Sequence, residues 1–330
     1  MEDFRTLVDL ASERLGGSVI AANDEFFAAK ENLVRDASPV FREGEYTERG
    51  KWMDGWETRR RREPGHDWAV VRLGLPGHLE GVVVDTAHFK GNFPESCSIE
   101  ACEALGHPDA AQLTGPGTSW TEVLPRTPLQ GDCENAFAVR PVHRSTHLRL
   151  NIFPDGGVAR LRTFGLVAPD WERLARAGGL VDLAAVENGG LVVAASDMFF
   201  GSRQNLILPG RGRDMSDGWE TRRRRGPGND WAIVRLGREG AIRSVEVDTL
   251  HYKGNAPGSC SIEAIRAEGE RLEAPGGSAA WRELLPRSPL QPNTLHRFEE
   301  ELADAGVATH VRLSIFPDGG VSRLRLFSRL

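Results

Sequence analysis

Along His147–Phe153 apolar and polar positions alternate, with Leu148, Leu150 and Ile152 on one side and His147, Arg149 and Asn151 on the other. A period of two predicts a strand with one buried and one wetted face. Short β-branched or alternating runs recur as "WAVVRLG" (Trp68–Gly74), "GVVVDTAHF" (Gly81–Phe89) and "VARLRTF" (Val158–Phe164), bounded by Gly, Pro and Asp. "FPDGG" at Phe153–Gly157 and Phe316–Gly320 predicts turns, because Pro presets one φ and Asp-Gly-Gly tolerates positive φ. Strands with one wet face point to an antiparallel sandwich rather than a parallel α/β sheet. A short helix is expected in Leu166–Gly179, where Pro169–Asp170 precede Trp171, Leu174 and Ala175.

The pattern is written twice. "DGWETRRRREPGHDWAVVRLG" (Asp54–Gly74) returns as "DGWETRRRRGPGNDWAIVRLG" (Asp217–Gly237) with three of 21 letters changed. Val84–Ala101 matches Val247–Ala264, and His147–Phe164 matches His310–Phe327, each at 14 of 18 positions. The offset drops from 173 to 163 residues, because the first copy carries ten extra residues within Arg35–Met53, read as a polar loop. This predicts an all-β chain of two tandem jelly-roll β-sandwich domains, 1–165 and 166–330.

Composition narrows the class. The chain has 330 residues, enough for two cores, and no apolar run approaches the ~18 residues of a membrane span. The start, "MEDFRTLVDLASERLGG", lacks the basic and apolar regions of a signal peptide. Four cysteines, none in a CxxC pair, fit buried thiols and a cytoplasmic setting. A net charge of −6, with Asp54, Glu57 and Glu63 around the first arginine run, argues against nucleic acid.

The copies do not match evenly: Cys102–Ser119 and Ile265–Ala280 share little. Against that divergence, polar identities need a reason beyond packing. Asp54, Glu57, Arg59, Arg60, Asp67, Asp85, His88, Lys90, Asn92 and Glu100 recur as Asp217, Glu220, Arg222, Arg223, Asp230, Asp248, His251, Lys253, Asn255 and Glu263. Structural uses compete: Asp54-Gly55 as a turn, Asp67 as a loop cap, His88 as a sheet histidine. No GxSxG elbow, HExxH, Walker loop or strand-borne GxGxxG is present. Asp85 and His88, at i and i+3, would point to opposite faces of a regular strand, so the metal signal is weak although a divalent metal stays open. A site of Arg, Lys, carboxylates, Asn and His suits a small anionic ligand with several N–H or O–H groups.

In "KWMDGWETRRRREPGHDWAVVRLG", "GVVVDTAHFKGNFPESCSIEA" and "IFPDGGVARLR", and in its tandem layout over nearly the whole chain, the sequence closely resembles the allantoicases. The resemblance implies hydrolysis of allantoate to ureidoglycolate and urea in purine degradation. It also implies galactose-binding-like jelly rolls assembled as a homo-oligomer. On that reading Arg59–Arg62 or Lys90 would hold the substrate carboxylate. Asp54, Glu57, Asp67, Asn92 or Glu100 would accept ureido N–H groups, and His88 or a carboxylate would carry the proton. Asp217, Glu220, Arg222, His251 and Lys253 would be the second copy's ligand contacts. His66 becomes Asn229, so an essential His66 would confine catalysis to the first copy. The competing class is a non-catalytic tandem carbohydrate-binding module, which two tyrosines and tryptophans set in charged motifs suit poorly.

Overall fold

The computed structural model describes residues 4–140, 143–267 and 280–330; most of the divergent stretch Ile265–Ala280 lies outside them. The chain divides into two compact units, Met1–Ala168 and Pro169–Leu330. Each is a jelly-roll β-sandwich of antiparallel strands, and the chain is almost entirely β.

In the first unit the strand order is Val8–Asp9, Arg160–Val167, Asp67–Asp85, Ser145–Phe153, Ser96–Cys102, Thr121–Pro128. The organising element is Asp67–Asp85, a single strand of 19 residues. Sequence pattern divides it into two runs, because Gly74, Pro76 and Gly77 read as a break. Instead the break is where the strand passes from one layer to the other. Its first part pairs with Ser145–Phe153 and Ser18–Ala22, its last part with Arg160–Val167 and Glu134–Ala138. Glycine is needed there for close approach: a Cβ on Gly77 would lie 2.5 Å from the Leu166 carbonyl oxygen. Asp230–Asp248 does the same in the second unit, again over 19 residues.

Leu148, Leu150 and Ile152 are fully buried, as their alternation requires. The opposite face is drier than its polarity suggests, since His147 and Asn151 are buried as well. Desolvation, with Arg72 nearby, pushes the His147 ring down to about 4. Burial pushes the Cys97 and Cys260 thiols up to about 12. The expected helix is Trp171–Ala177, capped by the Asp170 side chain, which accepts from the Arg173 N–H at 2.9 Å.

The turn at Phe153–Gly157 contains a cis Phe153–Pro154 bond and Gly156 at φ +142°. A Cβ on Gly156 would lie 2.8 Å from the Asn92 carbonyl oxygen. This packs the turn against the loop carrying Asn92. Asp155 accepts the backbone N–H of Arg61 at 2.9 Å, tying the arginine run to the same end of the sandwich.

Candidate active site

The site is built on a two-residue strand, Trp56–Glu57, paired with Gly157–Val158. Trp56 is fully buried and donates its indole N–H to the Asp24 carbonyl at 2.8 Å. With Trp56 anchored inward, alternation turns Glu57 outward, where it is half-buried. Asn92 Nδ2 donates to Glu57 Oε1 at 2.7 Å, leaving Oε2 for a ligand. Desolvation raises the Glu57 carboxyl above its ordinary value, against the opposing effect of Asn92.

The Glu57–Asn92 pair is shared by two cavities. One, of about 1000 Å³, is lined by Phe26, Phe27, Arg59, Arg60 and Arg62. The other, of about 600 Å³, is lined by Phe27, Phe41, Lys51, Met53, His88 and Lys90. Arg59 is held by Asp24, its Nε donating at 2.6 Å. Arg60 and Arg62 are exposed and make no ion pair among the described residues. Lys51 Nζ lies 4.4 Å from the Phe41 ring centre, and Lys90 Nζ 3.7 Å from Asp132. A desolvated carboxyl thus stands between two sets of cations.

His88 is not on a strand. The strand ends at Asp85, and His88 sits in a turn at φ +70°, so the opposite-face argument does not hold. Its Nε2 lies 3.3 Å from the Pro39 carbonyl oxygen. A carbonyl only accepts, so Nε2 carries the hydrogen and Nδ1 is left to exchange a proton. Among the described residues no group of three or more His, Cys, Asp or Glu side chains is placed to hold a metal ion.

The remaining expected residues lie elsewhere. Asp54 is buried and accepts from Arg160 Nη2 at 2.9 Å; Arg160 is 1% exposed. Burial opposes ionisation of Asp54 most strongly, yet the Arg160 hydrogen bond, the Val40 N–H and the charges of Arg160 and Arg35 together hold the carboxyl below its usual range. Asp67 is buried against Arg61 Nη1 at 2.7 Å and Asn23 Nδ2 at 2.7 Å. Both carboxylates are held in ion pairs, Asp54 with Arg160 and Asp67 with Arg61. His66 and Glu100 line a separate cleft on the sheet face with Arg149 and Asn151.

The second unit keeps the framework. Arg323 Nη2 donates to Asp217 at 3.0 Å, Arg224 pairs with Asp230, and Asn255 donates to Glu220 at 2.5 Å. His251 Nε2 meets the Gly212 carbonyl at 2.9 Å, and the Arg222 guanidinium lies 4.2 Å over Phe199. Lys253 is exposed.

Phe41 escapes residue-by-residue matching because it falls where the first copy is ten residues longer, and Lys51 and Met53 because Asp214 and Ser216 stand at their places in the second copy. The signal was the insertion itself, placed directly before a strictly repeated motif. Arg160 was missed because the alternation in Val158–Phe164 reads it as wetted, although Arg160 and Arg323 recur with Asp54 and Asp217.

Comparison with known proteins gives consistent matches. The family model described as "Allantoicase repeat" matches residues 8–168 and 181–330. A probable allantoicase of Pseudomonas paraeruginosa is 52% identical over 328 residues, covering 99% of this chain and 97% of the relative. Probable allantoicase 1 of Burkholderia mallei is 51% identical over 330 residues, covering 100% and 96%. The crystal structure of Saccharomyces cerevisiae allantoicase is similar with a TM-score of 0.80 and 36% identity, over 98% of this chain and 96% of that one.

Proposed function

This chain belongs to the allantoicase family, and from that premise we propose that it carries out its reaction at the Glu57–Asn92 wall of the first unit. The reaction is hydrolysis of allantoate to ureidoglycolate and urea, in purine degradation. Identity with allantoicases over the full length disfavours a purely carbohydrate-binding module.

The observation that carries the placement is a half-buried carboxyl, raised by desolvation, with one oxygen held by Asn92 and cations on both sides. One carbon–nitrogen bond at the central carbon of allantoate must break. The departing nitrogen takes a proton and leaves as urea, while a water oxygen bonds to the carbon and gives up a proton. A carboxyl with a raised pKa can do both, as acid to the nitrogen and then as base to the water. Lys51 and Lys90, or Arg60 and Arg62 on the other side, take the substrate carboxylate. His88 closes the cavity and offers Nδ1 as a second proton carrier.

We place the enzyme in the cytoplasm as a homo-oligomer acting on allantoate without nucleic acid or membrane. Free buried thiols support the first. No helix among the described residues is long and apolar enough to cross a membrane. The exposed run Met198, Phe199 and Phe200, with the two rings 4.8 Å apart, supports self-association. The test of the site is urea release from allantoate by Glu57→Gln, which should fall ~10²–10⁴-fold with the fold intact. Full turnover in that variant would remove Glu57 from the chemistry.

A further inference from the structure

A cleft of about 350 Å³ in the first unit shares no residue with the two cavities at Glu57 and Asn92. It lies at the end of the Asp67–Asp85 strand, with Asp85 and Ser38 in its wall and Glu134 directly opposite Asp85 on the neighbouring strand. Four carboxylates line it, and three of them have a cation. Asp9 lies 3.5 Å from Arg162, Asp36 3.5 Å from Arg14, and Glu134 3.8 Å from Arg5. Asp85 forms no ion pair among the described residues. It is 7% exposed; its Oδ1 accepts the Ala87 N–H at 2.8 Å, and its Oδ2 has no hydrogen bond among the described residues. Burial raises the Asp85 carboxyl above its ordinary value, and Glu134 adds to this against the Ala87 N–H and the more distant charges of Arg160 and Arg162.

The second unit shows what the same place accommodates. Asp248, the counterpart of Asp85, is 2% exposed, and its Oδ1 likewise accepts a backbone N–H, from Leu250 at 2.9 Å. Its Oδ2, however, accepts from Arg211 Nε at 3.2 Å. At the front offset of 173 residues, Arg211 corresponds to Ser38. The geometry agrees, because the next residues, Pro39 and Gly212, turn their carbonyls to His88 and His251 respectively. Across the sheet, Leu295 faces Asp248 where Glu134 faces Asp85. The first copy has therefore lost the guanidinium and gained a carboxylate opposite the buried one. Carboxylates directly opposite one another are unfavourable in a sheet, and a buried charge without its partner is more so. The serine hydroxyl does not reach Asp85, and the cleft opens beside it.

Both changes act in one direction, toward an added cation. Among the described residues no three His, Cys, Asp or Glu side chains are placed to share a metal ion, which favours an organic cation. A planar guanidinium offers several N–H donors to facing carboxylates and a flat surface to Phe164 in the cleft wall. We propose that this cleft binds a small guanidinium-type cation, paired with Asp85 and Glu134 in the place that the second unit fills with its own Arg211.

The probe is methylguanidinium, titrated by calorimetry into the intact protein at neutral pH, with methylurea and methylammonium as comparisons. Methylguanidinium should bind more tightly than either. Ser38→Arg supplies the second copy's arginine at an exposed position, so folding is not at stake. It should weaken methylguanidinium binding about tenfold or more, as for loss of a charge-assisted contact, and Asp85→Asn should do the same. Glu57→Gln should bind it as the unsubstituted protein does. Unaltered affinity in Ser38→Arg, or loss of binding in Glu57→Gln, would overturn the site. Equal binding of methylurea, or tighter binding of methylammonium, would overturn the ligand class. No binding of methylguanidinium to the unsubstituted protein would overturn both.

Discussion

The two units share a framework and differ in one loop. Trp56 and Trp219, the buried Asp–Arg pairs, and the Glu57–Asn92 and Glu220–Asn255 contacts are reproduced nearly atom for atom. Over the first pair, the stretch Arg35–Met53 brings in Phe41, Lys51 and Met53, and Phe27 is partly covered. The second unit is ten residues shorter there and has Asp214 and Ser216 in the places of Lys51 and Met53, and Phe200, the counterpart of Phe27, is 60% exposed. Repeated polar residues therefore build a shared scaffold, and the unrepeated residues cover the cavity beside Glu57 in the first copy. Desolvation follows enclosure, and it is desolvation that lifts Glu57.

The sharpest contrast is between Glu57→Gln and Glu220→Gln. The first should lower urea release by ~10²–10⁴-fold and the second by less than about twofold. Equal losses in a steady-state urea assay would mean that both units work. Framework changes should act alike in both. Asp54→Ala and Asp217→Ala each leave a buried arginine unpaired, and each should cost about 3–5 kcal/mol in denaturant unfolding. A difference of more than about half between them would show that the pairs are not equivalent.

Lys51→Met tests the loop more gently. The loss of one charge-assisted contact to the substrate carboxylate should raise KM about tenfold with little change in kcat. An unchanged KM would assign the carboxylate to Arg60 and Arg62. The smallest expected effect separates the cores. Free histidine titrates near 6.5, whereas buried His147 is held near 4. Between those values the unfolded chain takes the proton first, so His147 should lower stability as pH falls from 6.5 to 4. His147→Gln should flatten that dependence in urea melts at pH 7 and pH 5; an unflattened curve would place the acid sensitivity elsewhere.

Much of the fold was readable because alternation along strands such as His147–Phe153 reports directly which face is buried. The passage of Asp67–Asp85 through both layers was not, since Pro76 and its glycines carry the same letters in a crossing as in a turn. The site was half legible. Repetition singled out Glu57, Asn92, His88 and Lys90, which do meet. Repetition also singled out Asp54 and Asp67, because a buried ion pair constrains sequence as strongly as a ligand does. Distances across the sheet, which separate His66 and Glu100 from the rest, are invisible before register is known.

The 19-residue strand also governs how each unit comes apart. Because Asp67–Asp85 supplies hydrogen bonds to both layers, neither layer can detach while the other keeps its edges. Amide protons at both ends of that strand should exchange with solvent through one common opening rather than two. The lining of the cavity beside Glu57 comes from residues outside this strand, so its amides should exchange ahead of those in the sandwich beneath.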